Sequence, residues 1–234
     1  MVLYARIGCE MDPRYPALLN DSFRPQWERL LHLRTLGFKP GSILDIGAPH
    51  GGWSVVVGAL WPEADVLSIE ANEACRGLLA QHVRDFKIVA LSDTAGQAFF
   101  WKSTESNTEG SSFFREQSNH AFIPVKVETT TLDLLAGNTV YDFIKMDCQG
   151  AEAQIIQGGT STLRKAEFVL LEMQIQEYNQ GAPYMLEIMN MLDGCGFRLY
   201  DIVELHRNVG DVLLQVDALF ARKESPVFAL SHPI

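Results

Sequence analysis

The sequence predicts an α/β domain with a mostly parallel β-sheet, helices on both faces and one reversed strand near its C-terminal end. Short β-branched runs alternate with segments of helical periodicity, which is typical of a parallel sheet. The last two predicted strands, residues 197–203 and 213–220, are joined by a turn that is too short for a parallel crossover. They must therefore pair antiparallel, which departs from the plain dinucleotide-binding sheet.

The individual elements follow from local periodicity. Residues 24–37 place Trp27, Leu30, Leu31 and Leu36 at helical spacing, so we predict that residues 1–40 form an N-terminal helical segment packed on a main domain of residues 41–234. Helices are predicted at 52–60, 73–82 and 184–192, with another beginning at 152–157. The remaining strands are predicted at 42–46, 65–69, 87–91, 98–102, 124–128, 141–146 and 168–173.

Composition excludes several classes of function. The chain of 234 residues has a formal net charge of −10, which disfavours broad nucleic-acid binding because that depends on Lys and Arg neutralising phosphates. The four cysteines, Cys9, Cys75, Cys148 and Cys195, show no zinc-binding spacing. We see no signal peptide and no apolar run long enough to span a bilayer. We expect a cytoplasmic protein with no nucleic-acid or membrane partner.

A glycine-rich turn at residues 43–52 is the strongest local feature. An apolar strand ends in Asp45, and Gly47 and Gly51 stand where the chain must turn tightly into a helix. Asp45 is placed to bind the amino group of a ligand, while the turn amides would face its carboxylate. The spacing is not the GxGxxG of pyrophosphate sites, and a purely structural turn accounts for it about as well.

Glu70 favours a nucleotide site over a structural turn. It ends the second predicted strand, 23 residues after Gly47, where an acidic side chain can accept both hydroxyls of a ribose. The turn and the acid would meet at adjacent strand ends, which indicates an adenosine-containing ligand. The third strand end, residues 90–93, should lie near the adenine.

At this point the chain resembles the FkbM-type methyltransferases. The likeness extends from Ser42 to Lys223 and rests on several short motifs in a fixed order. It implies S-adenosylmethionine as cofactor, O-methylation of a sugar or natural-product hydroxyl, and the Rossmann-like class I methyltransferase fold with a seven-stranded sheet. The motifs are LDIGA with Gly51 and Ser54, IEAN at 69–72, ALSD at 90–93, NTEGSS at 107–112, TLD at 131–133, DFIKMD at 142–147 with GAE at 150–152, LE at 171–172, GF at 196–197 and QVDALF at 215–220.

The predicted site has a cofactor half and a catalytic half. The residues expected to bind the cofactor are Asp45, Gly47, Ala48, Pro49, His50, Gly51, Trp53, Ser54, Glu70, Ala71, Asn72, Leu91, Ser92 and Asp147. Asp147 is also the best-placed residue to face the transferring methyl, although an Asp before a helix is often simply its N-cap. Glu152 and Glu172 would line the same cleft, and His206, expected in the C-terminal hairpin turn, is a candidate base.

Two positions depart from the family pattern. Pro49 replaces an Asn and stiffens the turn, and Gln149 replaces a Glu in the acidic motif. Because a hard divalent cation needs several carboxylate oxygens, we expect no metal. Residues 107–114 fit a lid over the cofactor and acceptor, or else a mobile loop with two aromatic contacts.

Two other functions remain open from the sequence. A nicotinamide-dependent oxidoreductase would use a related sheet, although the GxGxxG motif is missing. A non-catalytic nucleotide-binding module would keep the cofactor site and lose chemistry at Pro49 and Gln149. The identity of the small-molecule acceptor cannot be read, and a homodimer is one assembly that the sequence leaves open.

Overall fold

The computed structural model describes residues 23–104 and 110–229, which form a seven-stranded sheet with helices on both faces. The strand order is β3-β2-β1-β7-β8-β10-β9. The strands are β1 Ser42–Ile46, β2 Asp65–Glu70, β3 Asp85–Ile88, β4 Ala90–Leu91, β5 Gly96–Ser103, β6 Phe122–Thr130, β7 Phe143–Met146, β8 Phe168–Gln174, β9 Phe197–Arg207 and β10 Leu213–Arg222. The helices are α1 Arg24–Thr35, α2 Gly52–Leu60, α3 Arg76–His82, α4 Leu132–Ala136, α5 Glu152–Gly158, α6 Thr160–Leu163 and α7 Met185–Gly194.

The predicted sheet is confirmed, including its reversed strand. Every neighbouring pair is parallel except those made by β10, which runs antiparallel to both β8 and β9. The central strands β1, β7 and β8 are almost completely buried, because helices cover both faces. That burial explains why these strands are continuous apolar runs in the sequence.

The predicted third strand, residues 87–91, is two strands in the structure. β3 ends at Ile88 and forms the edge of the main sheet, whereas β4 pairs with Thr129 and Thr130 in a separate three-stranded sheet of order β4-β6-β5. The break falls at Val89, whose amide donates to the Glu70 carbonyl at 2.8 Å. Tertiary pairing with a distant strand therefore divides a continuous β-branched run.

The predicted helix at 73–82 is also divided. Residues Glu73–Cys75 form one 3₁₀ turn before α3 begins at Arg76. The side chain of Asn72 accepts a hydrogen bond from the Ala74 amide at 3.1 Å, which fixes the start of the turn.

Two apolar clusters hold helices on opposite faces of the sheet. On one face, Trp53 of α2 packs against Phe143 with ring centroids 5.8 Å apart, and Phe168 lies 6.3 Å from Phe143 and 4.7 Å from Phe38. On the other face, α5 and α7 bury their apolar sides. The helices thus clamp β7 and β8, whose C-terminal ends point to the site.

Helix α1 is the described part of the predicted N-terminal segment; its residues 1–22 lie outside the described chain. α1 buries Trp27, Leu30 and Leu31 in the same cluster as Phe143. Arg29 of α1 forms an ion pair with Asp201 of β9 at 2.5 Å. Within residues 23–104 and 110–229, no helix combines the length and apolar character needed to cross a membrane.

The aromatic contact at Phe168 gives a test of the core. Phe168 is 1% exposed and touches the rings of Phe38, Phe143 and Tyr200, so Phe168→Ala should lower the free energy of unfolding by about 3–5 kcal/mol. Phe99→Ala is the control, because Phe99 is 64% exposed and should cost less than about 1 kcal/mol. Urea unfolding followed by circular dichroism measures both; equal losses would contradict this description of the core.

Candidate functional site

One cavity of about 720 Å³ opens at the carboxyl ends of β1, β2, β7 and β8. Most of the predicted site residues line it. They are Asp45, Gly47, Ala48, Pro49, His50, Gly51, Trp53, Glu70, Ala71, Leu91, Asp147, Glu172 and His206. Four predicted residues do not line the cavity, namely Ser54, Asn72, Ser92 and Glu152.

The glycine turn lies tightly against the loop after β7. Gly47 has φ 79°, and a Cβ at this position would stand 1.8 Å from the Asp147 carbonyl oxygen, so only glycine fits. The amides of Gly47 and Ala48 donate to the Ile69 carbonyl at 2.9 and 3.1 Å. These two amides therefore do not face a ligand carboxylate, and for the rest of the turn the expectation stays a prediction. The first turn of α2, which follows Gly51, adds further amides for a ligand.

A cluster of buried polar side chains stabilises the glycine turn. Asp45 is fully buried; its Oδ2 accepts from Ser54 Oγ at 2.7 Å, and Ser54 Oγ lies 2.7 Å from Ser68 Oγ. Lys145 Nζ lies 3.4 Å from Asp45 Oδ1 and donates to the Gly47 carbonyl at 3.2 Å. Ser54, predicted to bind the cofactor directly, instead holds Asp45 in place.

Burial and the neighbouring charges shift the pKa values of the groups in this cluster. Burial raises the pKa of Asp45, and the attraction of Lys145 only partly opposes it. Burial disfavours the charge of Lys145, but Asp147 and Asp45 outweigh it and hold its pKa above the ordinary value. Lys145 therefore stays protonated and is the positive centre of an otherwise acidic site.

Glu70 occupies the expected position at the end of β2. It is 7% exposed, and its Oε1 accepts from the Asn72 amide at 2.7 Å. Burial raises the pKa of Glu70 to about 7, although the hydrogen bonds from Asn72 and Ala71 oppose the shift. Asn72 is buried beside the cavity, and its side-chain Nδ2 donates to Ser111 Oγ at 3.5 Å.

Gln149 joins the two carboxylates of the acidic motif. Its Nε2 donates to Asp147 Oδ1 and to Glu172 Oε1, both at 3.0 Å, from a backbone with φ 53°. Gln215 Nε2 donates to the same Glu172 oxygen at 2.7 Å. A glutamate at position 149 would add a third negative charge here, so the departure from the family pattern suits this crowded site.

Asp147 and Glu152 lie at the two ends of the loop between β7 and α5 and have different contacts. Asp147 does not cap α5: the N-cap is Ala151, and the Asp147 carboxylate lies 3.4 Å from Lys145 Nζ. Glu152 is 3% exposed, and its Oε1 accepts from the Cys148 amide at 2.6 Å. Burial raises the pKa of Glu152 to about 7. Glu152 thus stabilises the loop behind the cavity wall.

His206 lies in strand β9 and not in the hairpin turn, where it was expected. The strand extends to Arg207, and His206 pairs with Gln215 of β10. Its Nε2 lies 3.3 Å from Asp217 Oδ1, and this contact raises the pKa of His206 despite partial burial. The turn begins only at Asn208, whose side chain accepts from the Gly210 and Val212 amides.

The described part of the predicted lid covers the cavity; residues 107–109 lie outside the described chain. Ser112 pairs with Trp101 and donates through Oγ to the Cys148 carbonyl at 3.0 Å. Further along, the Gln117 amide donates to the Tyr178 carbonyl at 2.8 Å. The segment therefore bridges the cavity from the β5 side to the chain after β8.

Glu172, His206 and Asp217 are close enough for one cation to touch all three, since their ligand-type atoms lie within 4.8 Å of one another. Each group already has a protein partner: Glu172 accepts from two amides, and His206 faces Asp217. In this trio, Glu172 and Asp217 are therefore hydrogen-bonded by side-chain amides, whereas His206 makes a charge contact with Asp217 at 3.3 Å. Our expectation that no metal is used stays a prediction.

Gln26, Lys145, Gln215 and Asp217 are among the cavity residues that were missed from the sequence. Lys145 could have been found, because a lysine inside an apolar strand is unusual. Gln215 and Asp217 alternate in β10 and so share one face of the strand. Gln26 carries no such signal, since it is one polar residue of an amphipathic helix.

Comparison with known proteins agrees with this geometry. The model of the FkbM methyltransferase domain matches residues 45–199. The chain is also 34% identical to the 2-O-methyltransferase NoeI of Sinorhizobium fredii (strain NBRC 101917 / NGR234), over 74% of this chain and 78% of that protein. The chain belongs to the FkbM methyltransferase family. The predicted family is confirmed, and a nicotinamide-dependent oxidoreductase is not favoured.

A solved structure shows the same fold at low identity. The magnesium protoporphyrin IX methyltransferase ChlM of Synechocystis PCC 6803, a structure with bound SAM, aligns with a TM-score of 0.50 and 13% identity. The alignment covers 94% of this chain and 89% of that one. The FkbM chain described here therefore has the predicted Rossmann-like class I methyltransferase fold.

The buried lysine gives a test of the site. Lys145→Met leaves the Asp45 carboxylate buried without its cation and should lower the free energy of unfolding by about 3–5 kcal/mol. The deficit should shrink as the pH falls, because protonation of Asp45 removes the uncompensated charge. Lys165→Met, at an exposed position, is the control. Denaturant unfolding at several pH values measures this, and a pH-independent deficit would contradict the assigned charge pair.

Proposed function

We propose that this FkbM family member transfers a methyl group from S-adenosylmethionine to a hydroxyl of a sugar or similar small molecule. The observation that carries the proposal is that one cavity joins a nucleotide-type half to a hydrogen-bonding half. Glu70, Gly47 and Asp45 lie in the first half, whereas Asp147, Glu172 and His206 lie in the second. A donor and an acceptor can therefore meet without leaving one enclosed site.

The first half suits the adenosyl and methionyl parts of the cofactor. Glu70 projects from the end of β2, where its carboxylate can accept the two ribose hydroxyls. Leu91 supplies an apolar wall for the adenine, and the N-terminus of α2 supplies amides for the methionyl carboxylate. Asp147, which lies beside Lys145 where the two halves meet, supplies a carboxylate for the methionyl ammonium.

The second half suits an acceptor that carries several hydroxyls. Its wall contains carboxylates and amides that both accept and donate hydrogen bonds, among them Gln26, Gln149 and Gln215. An anionic acceptor would meet repulsion from Asp217, and burial together with Asp147 and Asp217 already raises the pKa of Glu172 in the same wall. The NoeI relative is a 2-O-methyltransferase, which supports a hydroxyl as the methyl acceptor.

The chemistry asked of the chain is modest. S-adenosylmethionine supplies an activated methyl, so the protein must align the acceptor oxygen with that methyl and keep water away. As the new C–O bond forms, the C–S bond breaks and its electron pair neutralises the sulfonium. The hydroxyl proton passes to His206, whose imidazolium the nearby carboxylates stabilise.

The chain is proposed to act on small molecules in the cytoplasm. Cys75, Cys148 and Cys195 are free thiols, which suits a reducing compartment. The net charge of −10 supports an acceptor other than nucleic acid.

Methyl transfer is tested directly with S-adenosylmethionine labelled in its methyl group and a panel of free pyranoses and oligosaccharides. We expect label in a sugar and loss of most transfer in His206→Ala, about 100-fold or more for a general base. Leu205→Ala, a neighbouring exposed position, is the control. Tight cofactor binding with no transfer to this panel or to a metabolite extract would favour a non-catalytic module, and binding of NAD alone would overturn the proposal.

The raised pKa of Glu70 predicts pH-dependent cofactor binding. Only the ionised carboxylate accepts both ribose hydroxyls, so affinity for S-adenosylhomocysteine should weaken as the pH falls through about 7. Calorimetry should show weaker, nearly pH-independent binding for Glu70→Gln. Glu73→Gln, whose carboxylate is exposed and pairs with Arg76, should keep the dependence. A Glu70→Gln variant that still follows the original pH profile would refute the role of Glu70.

A further inference from the structure

His206 lies at the meeting point of strands β9 and β10 with the N-terminal helix α1. Resting on the proposed function, we infer that Asp217 and Gln26 are positioning residues that orient His206 as the base, so that α1 forms part of the active site. The family model matches residues 45–199, so Gln26 and His206 lie outside it. Asp217 belongs to the QVDALF motif through which the chain resembles the family.

Asp217 is held on two sides. It is 6% exposed; its Oδ1 lies 3.3 Å from His206 Nε2, and its Oδ2 accepts from Gln26 Nε2 at 2.5 Å. The two oxygens thus have different partners, one from the sheet and one from the helix. Such a carboxylate has little freedom to turn away from the imidazole.

This contact selects the tautomer of His206. The Asp217 carboxylate, 3.3 Å from Nε2, favours the neutral tautomer whose proton is on Nε2 and whose lone pair is on Nδ1. A carboxylate that orients a histidine in this way also stabilises the imidazolium formed when the base takes a proton. Nδ1 is then the atom that receives the proton of the acceptor hydroxyl.

The charges around His206 all favour its protonated form. Asp217 faces it from β10, Glu204 from β9, Asp147 from the loop after β7 and Glu172 from β8. Gln26 and Gln215, the other polar neighbours in the cavity wall, are neutral. Asp217 has the largest effect, because it alone pairs directly with the ring.

Helix α1 is fixed firmly enough to place Gln26. Trp27 and Leu30 lie in the core, and Arg29 pairs with Asp201 on β9. Gln26 and Phe23 both reach the cavity wall. The core contacts and the ion pair to Asp201 hold α1 in place, and the helix therefore places Gln26 beside Asp217.

The first test follows the His206 ring by NMR in the S-adenosylhomocysteine complex, with His206→Gln used to assign its signal. Asp217→Asn should lower the pKa of His206, since the paired charge is lost. With the sugar that labels fastest, kcat should fall about 10- to 100-fold, whereas KM for S-adenosylmethionine should stay nearly constant. The acid limb of the pH–rate profile should move to lower pH.

The second test separates Gln26 from the docking of the helix. Gln26→Ala should lower the pKa of His206 in the same direction as Asp217→Asn, because Asp217 is no longer fixed against the ring, and it should add little to Asp217→Asn in the double variant. Arg29→Gln is the matched control: it removes the ion pair to Asp201 without touching Asp217, and should leave the titration unchanged.

Three results would overturn the inference. They are an unchanged His206 titration in Asp217→Asn, equal shifts in Gln26→Ala and Arg29→Gln, and activity that is lost with a chelator and restored by Mg²⁺. The last result would make the trio a metal site. Because the NMR titration needs no acceptor, it decides the positioning roles even if the sugar panel remains unlabelled, an outcome that would count against the proposed function only.

Discussion

The site depends on one buried ammonium group. Lys145 lies between Asp45 at the end of β1 and Asp147 after β7, and it also donates to the carbonyl of Gly47 in the cofactor turn. The same ion thus ties together two central strands and the turn that crosses them. Because Lys145 and Asp45 are almost fully buried, each of these two charges is tolerable only while the other is in place. The close approach of Gly47 to the Asp147 backbone follows from this packing.

Neutral side-chain amides stabilise the other carboxylates of the cavity wall by donating hydrogen bonds to them. Glu172 and Asp147 would repel each other in a dry cavity, yet Gln149 donates to both, and Gln215 donates to Glu172 again. Gln26 does the same for Asp217. Amide groups satisfy lone pairs without adding charge, so the wall stays rich in acceptors and still has donors for an acceptor molecule. Gln149, at a position where the family has a glutamate, therefore removes one negative charge and still forms hydrogen bonds to both carboxylates.

The parts of the molecule predicted from the sequence are those encoded locally. β1, the glycine turn, α2 and Glu70 follow from patterns within about one βαβ unit, and β10 follows from a turn length. Other parts depend on remote partners. Ala90 and Leu91 leave the main sheet because they pair with Thr129 and Thr130. His206 was placed in a turn because β9 loses its apolar character before it ends, and the contact of Gln26 with Asp217 joins residues 191 positions apart.

The contact between Gln26 and Asp217 joins segments that are far apart in the sequence, so the two halves of the proposed site have different origins in the chain. In the proposed site, the cofactor half comes mainly from one stretch near the first strands, whereas the acceptor half combines Asp147, Gln149 and Glu172 with residues of α1, β9 and β10. Substitutions in α1 or in the terminal hairpin can therefore reshape acceptor choice while leaving the cofactor machinery untouched. A homologue that differs mainly in these terminal segments would bind a different acceptor and keep the same methyl-donor site.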